Sequence, residues 1–121
     1  MDNQATTPVL YGIPNCDSVK KARRWLEQNN QPYTFVDLRK EGISAHQLSQ
    51  AIDQCGLESI VNKRSSTWKQ LSDLEKGRAL QPATAVPCLL DNPTLIKRPL
   101  LVNNRQAHVG FSEVLYAPLF N

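Results

Sequence analysis

Val9-Leu10-Tyr11-Gly12-Ile13-Pro14-Asn15-Cys16-Asp17-Ser18-Val19-Lys20-Lys21-Ala22 holds a short apolar run, a turn and the start of a helical pattern, and its reading decides the fold. Val9, Leu10 and Tyr11 have strand character, and Gly12, Pro14 and Asn15 are turn formers. From there Val19, Ala22 and Leu26, with Trp25 beside them, fall on one face, while Lys20, Lys21, Arg23, Arg24 and Glu27 lie mostly elsewhere. That is an amphipathic helix over residues 16–29. Asn29-Asn30-Gln31-Pro32 stops it, and residues 33–38, rich in aromatic and β-branched side chains, read as a second strand. A β-α-β unit makes its strands parallel through a right-handed crossover, and it carries the Cys16 loop to the carboxyl edge of the sheet, where open α/β sheets bind ligands.

Cys16 is the candidate nucleophile because of where it stands. With Asn15 as the expected N-cap, Cys16 takes the first helical position, where unpaired backbone N–H groups and the positive end of the helix dipole favour a thiolate. Lys20 adds a positive charge one turn on. Away from such a junction a single cysteine is usually a small buried apolar residue. Cys55, on a stripe with Leu48, Ala51 and Ile52, is read that way.

The 121 residues, 40% hydrophobic, suit a single domain with one core. A net charge of +3, from 14 Lys+Arg against 11 Asp+Glu, is mild and not gathered into a stripe. It fits an anionic small-molecule partner better than nucleic acid. Three cysteines without close spacing make neither a disulfide framework nor a zinc site, so no metal is expected, and reduced thiols imply the cytoplasm. The polar first seven residues lack a signal-peptide pattern and are expected to form a flexible tail. No apolar run is long enough for a membrane span. The five glycines are scattered and build no phosphate-binding loop, so no nucleotide or other bound cofactor is implied.

Downstream, Ser44-Ala45-His46-Gln47 has the form of a capping box for a second helix that Gly56 ends. Residues 57–92 read as a helical insertion of two short helices. One carries Trp68, Leu71 and Leu74, and the other spans 83–90, where Pro87 is expected to break or kink it. Residues 100–102 and 107–109 flank the turn former Asn103-Asn104-Arg105-Gln106 and predict an antiparallel hairpin. Ser112 caps a last helix over 113–116, which ends near Pro118. The order β-α-β, helical insertion, β-β-α, with a cysteine opening the first helix, is that of an α/β, thioredoxin-like domain.

At the residue level the chain resembles the arsenate-reductase-like family that includes the ArsC, Spx and YffB proteins, nearest its small glutathione-linked YffB branch. The resemblance rests on residues 11–23, on Val61-Asn62-Lys63-Arg64-Ser65-Ser66-Thr67-Trp68, on Leu95-Ile96-Lys97-Arg98-Pro99-Leu100-Leu101-Val102 and on Val109-Gly110-Phe111-Ser112-Glu113. It implies that Cys16 is the nucleophile of a thiol-dependent reductase and that Arg64 and Arg98 form an anion pocket. Asn15 and Pro99 would support them, with Pro99 at the position of a cis-proline. A planar, permanently charged guanidinium suits an oxyanion or a carboxylate. Glutathione is implied as co-substrate, a small anionic or disulfide compound as substrate, and glutaredoxin as a further partner.

Three departures bear on this. Gly110 stands where arsenate-reducing members carry a further Arg, which argues against arsenate as the substrate. Val19, three residues after Cys16, rules out an internal Cys-x-x-Cys disulfide, so another thiol must resolve the adduct. Pro87 lies within a family helix, and Cys88 beside it reads as structural, with a resolving role as the alternative. The competing functional reading is an Spx-like redox regulator that binds RNA polymerase. Such regulators commonly use the Cys-x-x-Cys switch that Val19 removes.

Overall fold

The computed structural model describes residues 7–120. Strands β1 (Val9–Gly12), β2 (Thr34–Asp37), β3 (Leu100–Asn103) and β4 (Gln106–Val109) form one mixed sheet in the order β2-β1-β3-β4. β1 and β2 are parallel, joined through α1 (Asp17–Gln28), and β3 is antiparallel to both β1 and β4. The thioredoxin-like order read from the sequence is the one adopted. The expected tail falls largely on residues 1–6, outside the described residues.

The chain divides into two compact units. The first takes residues up to Asp37 together with those from Arg98 onward, and holds the whole sheet, α1 and α7 (Glu113–Tyr116). Its core gathers Leu10, Ala22, Leu26, Leu101 and Tyr116, all fully buried, with Trp25, Tyr33, Phe35 and Phe111 packed against them. α1 approaches β1 closely because position 12 is glycine: a Cβ there would stand 2.7 Å from Val19 Cγ2 and 2.9 Å from Cγ1. On its other flank Arg23 lies over the Phe35 ring, 4.1 Å from the centroid, and its Nε donates to Tyr33 Oη at 3.0 Å. The hairpin turn is tighter than expected. Asn104 and Arg105 are its two central residues, with φ of 51° and 67°, the left-handed pair that matches strand twist in a two-residue loop.

The second unit, Leu38–Lys97, is helical: α2 (Ala45–Cys55), α3 (Leu57–Ile60), α4 (Ser66–Gln70), α5 (Asp73–Ala79) and α6 (Pro82–Asp91). Residues 57–92 thus carry four helical segments where two were expected. The Trp68, Leu71, Leu74 repeat is not one helix, since Leu71 ends α4, Ser72 caps α5, and Leu74 is 66% exposed. The Ser72 side chain accepts from the Glu75 N–H while Glu75 reaches back to the Ser72 N–H, a full capping box that restarts the chain. Ser44 accepts from the Gln47 N–H as expected. α6 runs through Pro87 without ending, held by the burial of Ala85 and Leu89 on either side of it.

Candidate active site

The sheet register brings distant residues to one edge. Gly12 pairs with Asp37 on one side; on the other, Tyr11 pairs with Leu100, so the next step of the antiparallel ladder sets Gly12 level with Pro99. Leu100 pairs with Val109, and the Gly110 N–H donates to the Pro99 carbonyl at 2.8 Å. Asp37, Gly12, Pro99 and Gly110 therefore make a row across the carboxyl end of β1. Beyond Gly12 the chain turns through Pro14 and Asn15, closed by a bond from the Cys16 N–H to the Ile13 carbonyl at 3.1 Å. Cys16 and Arg98 thus leave the same edge.

Cys16 is itself the N-cap of α1, one residue earlier in the helix than expected, with extended φ and ψ of −88° and 128°. Asn15 belongs to the turn and does not cap. The difference arises because the Cys16 carbonyl already accepts the first helical bond, from the Lys20 N–H at 2.9 Å. The thiol makes no capping hydrogen bond to the helix and is partly accessible. A sulfur at an N-cap faces the unpaired donors of the first turn, where negative charge is favoured. Asp17 in that turn opposes the effect and exposed Lys20 reinforces it.

Arg98 precedes β3 and is half-buried. Its Nε is sealed from solvent without a hydrogen bond of its own, while the residue makes other interactions within the protein. The Arg98–Pro99 peptide bond is cis, as the resemblance implied. Arg64 lies in the helical unit, exposed in the turn before α4, where its backbone N–H donates to Asn62 Oδ1 at 3.0 Å. The sheet unit therefore brings together Cys16, Asn15, Arg98 and Pro99, whereas Arg64 belongs to the helical unit.

The sequence reading did not single out Asp37, the one buried charged residue among those described, at 7% exposure. Its signal was an acid closing an otherwise apolar strand. It is engaged within the protein. Gly110 adopts φ of 82° with open space where a side chain would go, so backbone conformation and not crowding selects glycine there.

The other two cysteines are also free thiols. Burial pushes the Cys55 thiol up, in keeping with a packing residue, although it is only half-buried. Cys88 is raised by burial first and then by the carboxylates of Glu75 and Asp91. Its Sγ donates weakly to the Glu75 carbonyl at 3.9 Å, and a thiol held neutral is a poor nucleophile. Among the described residues no group of three or more His, Cys, Asp or Glu side chains is placed to hold a metal ion, and no helix is long and apolar enough to cross a membrane.

Comparison with known proteins places this geometry in a family. The ArsC family model matches residues 11–117. A solved structure of a YFFB protein superposes with a TM-score of 0.87 at 35% identity, covering 95% of this chain and all of that one. An uncharacterized protein of Haemophilus influenzae is 43% identical over 111 residues, 92% of this chain and 96% of its own length. The global transcriptional regulator Spx of Staphylococcus aureus is 29% identical over 106 residues, 86% of this chain and 79% of its own. The chain belongs to the ArsC family and has its thioredoxin-like fold.

Proposed function

We propose that the protein is a cytoplasmic, glutathione-linked thiol reductase in which Cys16 is the nucleophile and Arg64 and Arg98 bind the anionic substrate. The observation that carries this reading is the partly accessible, uncommitted thiol at the N-cap of α1, at the same sheet edge as Arg98 and Pro99. In the first step the Cys16 thiolate attacks the glutathione sulfur of a mixed disulfide. A Cys16–glutathione disulfide forms, and the substrate leaves as a thiolate that takes up a proton. A second glutathione thiolate then attacks the glutathione sulfur of that adduct, releasing oxidised glutathione and restoring the Cys16 thiolate. The net change converts the mixed disulfide and one glutathione thiol into the free substrate thiol and oxidised glutathione. No bound cofactor takes part, and glutaredoxin could replace the second glutathione.

The relatives named Spx favour a second reading, a redox regulator acting on RNA polymerase. Against it, Val19 occupies the position a switch disulfide would need, and it is fully buried against Gly12. Turnover of a glutathionylated peptide, followed as release of oxidised glutathione, tests the first reading. Wild type is expected to turn over, Cys16→Ser to be inactive, and Arg98→Ala to raise KM more than it lowers kcat. Activity surviving in Cys16→Ser, or polymerase capture without turnover in wild type, would overturn it.

A further inference from the structure

Asp37 is the one buried charged residue among those described, 7% exposed, and no step of the proposed chemistry uses it. Its place follows from the register of β2 on β1. Phe35 pairs with Leu10, packs on the core that α1 covers with Ala22 and Leu26, and lies under the Arg23 guanidinium. Side chains two apart on a strand share a face, so Asp37 projects from that same face, toward the opening of α1. Its partner in the ladder is Gly12, where a Cβ would stand 2.7 Å from Val19 Cγ2. Val19 is three residues beyond Cys16, on the same side of the helix and about 4.5 Å along its axis. With neighbouring strands about 4.8 Å apart, the Asp37 carboxylate stands within about 10 Å of Cys16, beside the first turn of α1.

The charges around the thiol have a net sign. β2 is an edge strand, so within the sheet unit β1 and α1 adjoin it, and β1 carries no charged side chain. From α1, Asp17 and Lys20 belong to the opening turns, while Arg23 is turned to Phe35 and Tyr33. Arg98 leaves the same sheet edge beyond Gly12, and Arg39, Lys40 and Glu41 follow Asp37 in the chain. The unpaired N–H groups of the first turn add partial positive charge. Lys20, Arg98 and these dipoles together outweigh exposed Asp17, and each stabilises a thiolate at the expense of its nucleophilicity, which falls as a thiol becomes more acidic. We propose that Asp37 is a positioning residue of the Cys16 site that acts through its charge: a fixed, buried carboxylate that offsets part of this positive field and keeps the Cys16 sulfur basic enough to attack a disulfide at neutral pH. The proposal rests on the reductase reading only for the use to which that sulfur is put.

The test uses the full chain with Cys55→Ala and Cys88→Ser, which leaves Cys16 as its only thiol. The probe is bis(2-hydroxyethyl) disulfide, which is neutral. Cys16 attacks it to form a mixed disulfide with one mercaptoethanol, the other leaves as a thiolate that takes up a proton, and mass spectrometry follows the adduct. A unit charge about 10 Å away moves the titration midpoint of a thiol by about half to one pH unit, so Asp37→Asn, of the same shape without the charge, should cross the wild-type rate profile. It should be about two- to threefold faster near pH 6, where more of the sulfur is ionised, and about twofold slower near pH 10, where the less basic thiolate attacks more slowly. Asp37→Ser should cross in the same way, and Asp37→Glu, which keeps the charge, should not. At about 1 M salt, where the screening length is about 3 Å, the crossing should persist for Asp37→Asn and shrink for Asp17→Asn, since Asp17 is exposed. A loosened site would instead move both limbs in one direction. Parallel profiles, a midpoint displaced to higher pH, or a crossing equally present in Asp37→Glu would overturn the proposal. Crossed profiles in a chain that turns over no glutathionylated peptide remove the reductase reading alone, and turnover with parallel profiles removes the role of Asp37 alone.

Discussion

Tyr116→Phe should stabilise the protein, although it deletes an atom from a fully buried side chain. Tyr116 is 0% exposed at the centre of the sheet unit's core, and its ring packs edge-on to Trp25 and Phe111. Its hydroxyl is sealed from solvent and meets no hydrogen-bond partner among the described residues. A buried polar group left unsatisfied costs about 1–3 kcal/mol, and replacement by phenylalanine removes that cost while keeping every ring contact. The gap left by one oxygen takes back a fraction through lost dispersion contacts. A net gain of about 1 kcal/mol is therefore expected, or roughly 4 °C in Tm for a chain of this size. Urea unfolding followed by far-UV circular dichroism measures it, with an unchanged m value as the sign that only stability moved. Tyr116→Ala is the contrast, because it leaves a cavity and should cost about 3–5 kcal/mol. If Tyr116→Phe instead destabilises by 1 kcal/mol or more, the hydroxyl has a partner and the reasoning fails.

The same residue fixes the alkaline limb of stability. Burial pushes the Tyr116 phenol well above its ordinary range, so the folded state keeps a proton that the unfolded chain gives up near pH 10. This contribution is whole below about pH 10 and is lost as pH rises further, by at most about 1.4 kcal/mol per pH unit, and a flatter alkaline limb in Tyr116→Phe checks it. Gly12→Ala should destabilise by about 1–3 kcal/mol through overpacking, because the new Cβ would stand 2.7 Å from Val19 Cγ2. Adding Val19→Ala should recover part of that in the same denaturation assay. Pro87→Ala should raise stability by about 1–3 kcal/mol, since it restores the helical N–H toward the Ala83 carbonyl at an exposed position inside α6. Thermal unfolding of the purified variant decides it.

What the sequence made legible follows from how local each signal is. The β1–α1–β2 order and the hairpin could be read because period, turn residues and stops agree within a few positions of one another. Cys16 was placed one residue too deep because Asn15 is the better capping side chain, whereas the actual cap is set by a backbone bond from Lys20. The helical unit was misdivided for the opposite reason. The repeat of Trp68, Leu71 and Leu74 outweighed Ser72 and Glu75, whose capping box breaks the chain into two helices. Pro87 was expected to break or kink α6, and the helix continues through it because a local penalty of about 3 kcal/mol yields to the burial of Ala85 and Leu89. Asp37 gave little sign of its burial because burial at the end of a strand depends on neighbours far away in sequence.

Gly110 shows how a single backbone conformation bears on the sheet edge. Its N–H closes the β3–β4 ladder onto the Pro99 carbonyl, and that bond comes with a φ of 82°. An arginine at 110 would have room for its side chain, yet it would have to hold a left-handed backbone at a cost of about 1–2 kcal/mol. Relaxing that strain would pull on the bond to Pro99, the residue joined to Arg98. Glycine at 110 therefore keeps the backbone beside the Arg98–Pro99 bond unstrained.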